Sequence, residues 1–230
     1  MVVAMHMSDG LVNAPTSLAF GLFAVLVLAV AVSRARADLD DRTAPMAGLV
    51  TAFVFAVQMI NFPILPGASG HLLGGALVAI LVGPWVGTLC IAIVLLVQGV
   101  LFADGGLTAL GMNITNMAII GVFTGYLVAR SLRRLAQRSR GGLLAVAFTA
   151  AFVNTVVASL AFVLEYALGG AGGASLGTVF ALMVGLHALI GIGEGLITAA
   201  TVGAVAGTRP DLIYLLRQPV RGRAAAGSAR

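Results

Sequence analysis

The sequence is poor in charge, lacks lysine and contains a single cysteine. Only 9% of its 230 residues are charged, whereas a soluble domain carries about a quarter, so a chain of this length could not cover its surface in water. The single Cys90 excludes a disulfide within the chain. Its position inside an apolar run predicts a buried bystander.

Long apolar runs take the place of the missing charge. Residues 11–33 and 43–103 contain no charged side chain, and runs of about 20 apolar residues predict transmembrane helices. We therefore predict an all-α integral membrane protein with about seven transmembrane helices. The predicted segments lie at residues 11–33, 45–61, 71–82, 85–102, 107–129, 142–168 and 175–207.

The third segment and the loop before it differ from the others. Proline and glycine within residues 62–70 exclude a regular helix there. Residues 71–82 are too few to cross a membrane at 1.5 Å per residue. A short helix buried among its neighbours is therefore expected.

The basic residues set the expected orientation. They are all arginines and fall within residues 34–42, 130–140 and 209–230, each group following an apolar block. The positive-inside rule places all three groups in the cytoplasm, with the N-terminus outside and the C-terminus cytoplasmic. We expect one transmembrane domain, residues 1–219, followed by a flexible arginine-rich tail, residues 220–230. Stacking aromatics beside the arginines are too few for nucleic-acid binding, so the expected partner is the lipid bilayer.

Met5 and His6 form the first candidate metal site. If Met5 is the mature terminus, its amine, the His6 amide nitrogen and the His6 Nδ1 can close two adjacent rings on one metal ion. Planar nitrogen ligation favours Ni(II) or Cu(II). If Met1 is the terminus instead, the amine lies elsewhere and these residues could be an ordinary start of a chain.

His71 could supply the fourth nitrogen. It stands between glycines at the start of the short third segment, on the outer side where the N-terminus is expected. Alternatively, it only caps the loop. Asn113 follows a glycine-rich turn at residues 105–111 that suits a shell around a metal ligand, although the turn also suits plain helix packing.

The last apolar segment carries a polar face. His187, Gly191 and Glu194 lie at steps of four and three residues, so they share one side of a helix. A glutamate in an apolar helix needs a partner or a proton, and a polar network between helices is the favoured interpretation of Glu194. The glycines at 191, 193 and 195 are expected to pack closely. The small face from Gly121 to Gly125 could slide against another subunit.

Four motifs in this order resemble the CbiM/NikM family, the substrate-binding (S) components of energy-coupling factor (ECF) ABC transporters for cobalt and nickel. They are MHMSDG at residues 5–10, SGHLLGG at 69–75, DGGLTALGMN at 104–113 and HALIGIGEG at 187–195. The resemblance extends from residue 5 to about residue 219. It implies a seven-helix fold in the cell membrane of a prokaryote.

The resemblance also implies a site and a function. The metal ligands would be Met5, through its amine, together with His6 and His71. The cargo would be Ni(II) or Co(II), bound with high affinity and carried across the membrane, with no catalytic cofactor. Candidate residues around the ligands are Asp9, Ser69, Asn113, His187 and Glu194.

Partners are implied as well. They are a transmembrane coupling (T) subunit, cytoplasmic ATPases and a small accessory membrane subunit. The chain has no phosphate-binding loop motif, so ATP hydrolysis would come from the ATPases and the chain is not expected to be an enzyme. The family motif begins at the initiator methionine, whereas four residues precede Met5 here, so the start residue stays open.

Two alternatives remain at this point. Gly67-Ala68-Ser69-Gly70 matches the active-site motif of rhomboid proteases, in which Ser69 would pair with His187 as base, but the Trp-Arg loop typical of rhomboids is absent. The other alternative is a structural or coupling membrane subunit that binds no solute.

Overall fold

The computed structural model describes residues 6–65 and 68–217. Met5 and the predicted tail at residues 220–230 lie outside this part of the chain. Helices occupy all seven predicted positions, and the protein is an all-α, multi-pass membrane protein. The helices are α1 (Ala14–Ala35), α2 (Thr43–Gln58), α3 (Gly75–Val82), α4 (Pro84–Leu101), α5 (Leu110–Asn113), α6 (Val122–Ser131), α7 (Arg133–Ala136), α8 (Arg140–Gly169) and α9 (Leu176–Thr208).

Five of these helices are long and apolar enough to cross a membrane. They are α1, α4, α8, α9 and one continuous helix, Leu110–Ser131, that joins α5 to α6 through a π-helical segment, Ile114–Gly121. Helix α2 has 16 residues and α3 has eight. The count of seven crossings and the direction of the termini therefore stay predictions.

The helix α3 is the buried half-helix that its length predicts. All eight of its residues are buried, and it packs against α4, α6 and α8. Gly83 separates it from α4 with a φ of 91°, a value that glycine adopts without the steric cost of a side chain. In contrast, α1 and α9 expose leucines such as Leu26 and Leu189, as expected of helices that face lipid.

Side-chain caps begin the long helices. The side chain of Asn13 accepts a hydrogen bond from Thr16 N at the start of α1. Ser139 and Ser175 cap α8 and α9 in the same way. These caps satisfy amide groups that the first turn of a helix leaves unpaired.

A short β-hairpin replaces the predicted irregular loop. Strand β1 (Asn61–Leu65) pairs antiparallel with β2 (Ala68–His71), and Asn61 lies opposite His71. The register shifts between Pro63 and Leu65, since proline cannot donate to a strand ladder. The loop was correctly predicted to be non-helical, but strand pairing was missed.

The three arginine groups meet at one end of the helix bundle. Arg42 Nη1 lies 3.7 Å from Asp211 Oδ2, and Arg217 donates to Thr43 Oγ1 at 2.9 Å. Arg133 donates to the Leu215 carbonyl at 2.8 Å. The N-terminal segment lies at the opposite end of the bundle, where Val12 bridges to Gly170 at the end of α8. This common end is what the positive-inside prediction requires.

Two packing predictions are corrected by the structure. A Cβ at Gly121 would lie 2.9 Å from Asn154 Oδ1, and one at Gly125 would lie 2.7 Å from Ala76 Cα. This face therefore packs inside the chain, and the prediction that it slides against another subunit is wrong. Gly193 has no atom within 4 Å of such a Cβ, so its predicted close packing is also wrong.

Candidate metal-binding cavity

The N-terminal segment is clamped across the end of the bundle that lies opposite the arginine groups. Asn113 Oδ1 accepts a hydrogen bond from Met7 N at 3.0 Å, and Asn113 Nδ2 donates to Met7 O at 3.2 Å. Gly106 N donates to the same carbonyl at 3.0 Å. Farther along, Ala171 N donates to Leu11 O at 2.9 Å. These contacts fix the backbone directly after His6.

Two glycines let the segment approach this closely. Gly105 has a φ of +87°, and a Cβ there would lie 2.8 Å from His6 Cβ. A Cβ at Gly106 would lie 2.2 Å from Asp9 N. The Asp9 carboxylate is exposed and accepts hydrogen bonds from the backbone and hydroxyl of Thr108. Asp9 therefore anchors the segment to the glycine turn.

His6 and His71 lie beside each other in the interior. Their ring centroids are 4.7 Å apart and the rings are tilted by 59°. Both side chains are buried. His71 Nδ1 lies 2.9 Å from the Leu72 carbonyl, which accepts its N–H and leaves the lone pair on Nε2.

The ring nitrogens of His6 are buried without a hydrogen-bond partner among residues 6–65 and 68–217. Its Nδ1 lies 3.4 Å from Asp104 Oδ1, which is longer than an ordinary hydrogen bond. A buried polar nitrogen without a partner is costly. A cation at this ring would relieve the cost and would lie close to the buried Asp104 carboxylate.

His71 is held in the neutral form that a metal requires. It ends the hairpin, outside the membrane-spanning helices. Burial and, to a smaller extent, the positive charge of a protonated His6 lower the pKa of His71 to about 3. Because metals bind the neutral imidazole, this ring is available as a ligand over the physiological pH range.

A small cavity adjoins both rings. Its volume is about 40 Å³, which is room for one ion or one to two water molecules. All three histidines of the chain line it, together with amides and thioethers. The polar and sulfur-bearing lining residues are His6, His71, His187, Asn113, Asn116, Ser159, Met7, Met117 and Met183.

His187 reaches this cavity from α9. Its Nδ1 lies 2.7 Å from the carbonyl of Met183 one turn earlier. The described residues nevertheless contain no group of three His, Cys, Asp or Glu side chains that could hold one metal ion together. An ion bound between His6 and His71 would therefore need further ligands of another kind, such as backbone nitrogen.

Glu194 holds the backbone that carries His71. Its carboxylate accepts hydrogen bonds from Leu73 N at 2.8 Å and Gly74 N at 3.0 Å, at the start of α3. Asn154 and Thr155 of α8 donate to it at 3.0 and 2.8 Å. Negative charge is favourable at a helix N-terminus. Glu194 thus ties the hairpin exit to α8 and α9 and does not line the cavity.

The structure locates only some of the predicted site residues relative to the cavity. The side chain of Ser69 and all of Met5 lie outside the described part of the chain, so the structure does not place their donor atoms. Asp9 lies on the exposed rim, whereas Asn113 and His187 line the cavity.

Sequence reasoning marks three further residues near the site only as polar candidates in an apolar chain, without a specific role. Asp104 lies beside His6, and Asn116 lines the cavity while donating to Glu165 Oε2 at 2.6 Å. Each is a polar side chain in or beside an apolar segment, which is the only signal that the sequence carries for them.

Comparisons with known proteins agree with this architecture. The model of the CbiM family, described as a cobalt uptake substrate-specific transmembrane region, matches residues 6–212. The fused NikMN protein of Archaeoglobus fulgidus, named for nickel transport, is 40% identical over 91% of this chain and 68% of its own length. The cobalt transport protein CbiM of Sorangium cellulosum is 31% identical over 93% of this chain and 96% of its own length.

The fold is also that of a known transporter. A crystal structure of a truncated transition metal transporter superposes with a TM-score of 0.78 at 27% identity, covering 88% of this chain and 99% of that one. The comparisons give no support to the protease alternative. The family match and the transporter fold extend over nearly the whole chain, which therefore belongs to the CbiM family of cobalt uptake substrate-specific transmembrane regions.

Proposed function

We propose that the chain captures Ni(II) or Co(II) with high affinity at the outer side of the membrane and carries it inward as the substrate-binding component of an ECF transporter. The observation that carries this proposal is the pair of buried rings of His6 and His71, 4.7 Å apart beside an ion-sized cavity. The nickel and cobalt in the names of the relatives support this cargo.

Four nitrogens form the proposed ligand set. They are His71 Nε2, His6 Nδ1, the His6 amide nitrogen and the Met5 amine, the last if Met5 is the mature terminus. Such a set is planar and favours Ni(II) over most competing ions except Cu(II). The amide must lose its proton to bind, so affinity should rise with pH. The buried Asp104 carboxylate beside His6 would stabilise the positive charge of the bound ion.

The free energy needed to release the ion implies partner subunits that supply it. Capture at nanomolar concentration needs about 12 kcal/mol, and a site of four ligands can supply ~10–16 kcal/mol. Release on the inner side must overcome the same free energy. We propose that cytoplasmic ATPases drive it through a transmembrane coupling subunit, assisted by a small accessory membrane subunit. The arginine-rich end of the bundle, which the positive-inside rule assigns to the cytoplasm, would offer these partners a surface.

Equilibrium Ni(II) binding to the purified full chain in detergent tests the proposal. Replacing His71 by Ala should weaken binding by at least about 100-fold, since a ligand of a four-coordinate site is lost. Leu189→Ala, on the lipid-facing side of α9, is the control and should bind as the unmodified chain does. Unchanged affinity in folded His71→Ala would contradict the proposal and favour a coupling subunit that binds no solute.

A further inference from the structure

The third histidine has no place in the proposed ligand set, yet it lines the same cavity. We propose that His187 is a ligand-exchange station, a residue that binds Ni(II) or Co(II) transiently while the ion enters or leaves the His6–His71 site. This inference rests on the proposed function. His187 is 6% exposed, and the cavity that it shares with His6 and His71 is about 40 Å³, so the ion need move only a short distance.

The ring of His187 is set up as a ligand. Its Nδ1–H donates to the Met183 carbonyl at 2.7 Å, which leaves the lone pair on Nε2. His71 has the same arrangement with the Leu72 carbonyl. A backbone carbonyl that fixes the tautomer and orientation of an imidazole is the usual support of a metal-binding histidine.

His187 acts in sequence with the capture site and not as a member of it. The part of the chain that the structure describes holds no group of three His, Cys, Asp or Glu residues able to bind one ion together. A planar four-nitrogen ion, however, has two open faces, and ligand exchange at such an ion proceeds by addition of a fifth ligand.

The exchange step balances without redox chemistry. The Nε2 lone pair of His187 forms a bond to the metal, and one nitrogen of the capture site then leaves with its own electron pair. The oxidation state of the metal does not change. A departing amide nitrogen takes a proton from water, which leaves a hydroxide ion, and the chelate rings that this nitrogen closed are opened.

A residue that lines the cavity carries an oxygen that is unpartnered among the described residues, which supports the same role. Asn116 is 4% exposed, and its Oδ1 has no hydrogen-bond partner in residues 6–65 and 68–217. Its amide group is tied by donation to Glu165 at 2.6 Å. A buried acceptor without a donor is unfavourable, and a cation passing through the cavity would offset that cost.

The proposed role of His187 predicts how its loss changes the rates of metal association and release. A transient ligand lowers the barrier in both directions, so its loss should slow association and release by the same factor and leave their ratio nearly unchanged. A member of the capture site would instead change the ratio. A purely structural residue would act through its hydrogen bond to Met183 and not through its free nitrogen.

The experiment uses the full chain in detergent micelles with Ni(II) chloride. Stopped-flow mixing gives the association rate, and transfer to an excess of a coloured chelator gives the release rate. The variants are His187→Ala and His187→Gln, of which the second keeps an N–H donor for the Met183 carbonyl but lacks an imidazole. Both rates should fall together by roughly tenfold or more in each variant, while Kd changes by less than about threefold.

Two results would overturn the proposal. If His187→Gln binds and releases Ni(II) at the rates of the unmodified chain, His187 has only a structural role. If the Kd is weakened by more than about tenfold, His187 is instead a ligand of the capture site. Thermal unfolding shows whether each variant is folded, and His187→Gln alone suffices if His187→Ala is not. Measuring His71→Ala alongside distinguishes a failure of the His187 proposal from a failure of the proposed function. If His71→Ala binds Ni(II) with undiminished affinity, the proposed function is refuted, whatever the rates of the His187 variants are.

Discussion

The ring of His6 lies 4.7 Å from the ring of His71, although one precedes α1 and the other follows α2. Two sets of hydrogen bonds hold the rings in this position. The Asn113 clamp on Met7 holds one ring, and the Glu194 bonds to the hairpin exit hold the other. We therefore expect that the proposed metal site can be weakened from either side without replacing a proposed ligand.

The Asn113 clamp should control metal affinity. Replacing Asn113 by Leu removes two hydrogen bonds to the Met7 backbone, each contributing about 1 kcal/mol, and frees His6 from its position. We expect Ni(II) affinity to fall by about tenfold or more. Asn113→Asp keeps the acceptor for Met7 N and should lose less. Isothermal titration of both variants measures this order, and equal affinities would argue against the clamp.

Ni(II) binding should require glycine at position 105 for a steric reason as well as a conformational one. Its φ is +87°, and a Cβ would lie 2.8 Å from His6 Cβ; Gly173 has a similar φ of +75° with nothing within 4 Å. The change to Ala costs about 1 kcal/mol of backbone strain at either position. Only Gly105→Ala should also displace His6 and weaken Ni(II) binding. The comparison with Gly173→Ala isolates the contact, and equal binding by the two variants would exclude it.

Glu194 should matter for stability as much as for binding. Its carboxylate accepts hydrogen bonds from Leu73, Gly74, Asn154 and Thr155. Glu194→Ala leaves these buried donors without an acceptor, at a cost on the order of 3 kcal/mol or more.

Thermal unfolding in detergent checks this expectation. The Tm of Glu194→Ala should fall by more than about 5 °C, and that of Glu194→Gln by less. Thr149→Ala is the control, since its exposed hydroxyl donates only to Ala145 within the same helix. A Tm for Glu194→Ala that matches the control would show that the network does not stabilise the fold.

The amino terminus decides whether the chelate can form. A chain that begins at Met5 should bind one Ni(II) with loss of the His6 amide proton, so its affinity should rise with pH. Intact-mass spectrometry of the apo and nickel-bound protein reads both the start residue and the protons lost. Acetylation of the Met5 amine is the matched control and should weaken binding, because it removes the amine ligand and leaves His6 in place. Equal affinity with and without the acetyl group would exclude the amine as a ligand.

Sequence reasoning reached the helices and the pairing of His6 with His71, but not the side-chain contacts between helices. Apolar runs identify α4, α8 and α9 because length and hydropathy suffice for that purpose. His187 stands out because imidazole is rare in an apolar helix. The pairing of Asn116 with Glu165 depends on which helix faces meet, and periodicity within one helix does not contain that information.

Near glycine and proline, the sequence also does not show which segments pair or which glycines are closely packed. The motif around His71 indicated a non-helical loop, but the antiparallel pairing of Asn61 with His71 is a relation between two segments. The same holds for Gly193 and Gly125, which look alike in sequence. One has open space beside it and the other abuts Ala76, because only the second lies on a buried helix face.

The last prediction concerns the arginine-rich end. Arg133 donates to the carbonyls of Leu215 and Arg217, and Arg217 in turn donates to Thr43 at the start of α2. The segment after α9 therefore ties α2 to α7. Arg133→Ala should lower the Tm by several degrees, because hydrogen bonds from a charged group contribute about 1.5–3 kcal/mol.

A matched control shows whether the lower Tm of Arg133→Ala comes from the lost hydrogen bonds or from the lost charge. Arg138→Ala removes the same charge at an exposed position just after α7 and should leave the Tm nearly unchanged. Ni(II) affinity should be normal in both variants, since the cavity lies at the opposite end of the bundle. An equal Tm for the two variants would mean that the described C-terminal segment contacts the bundle without stabilising it.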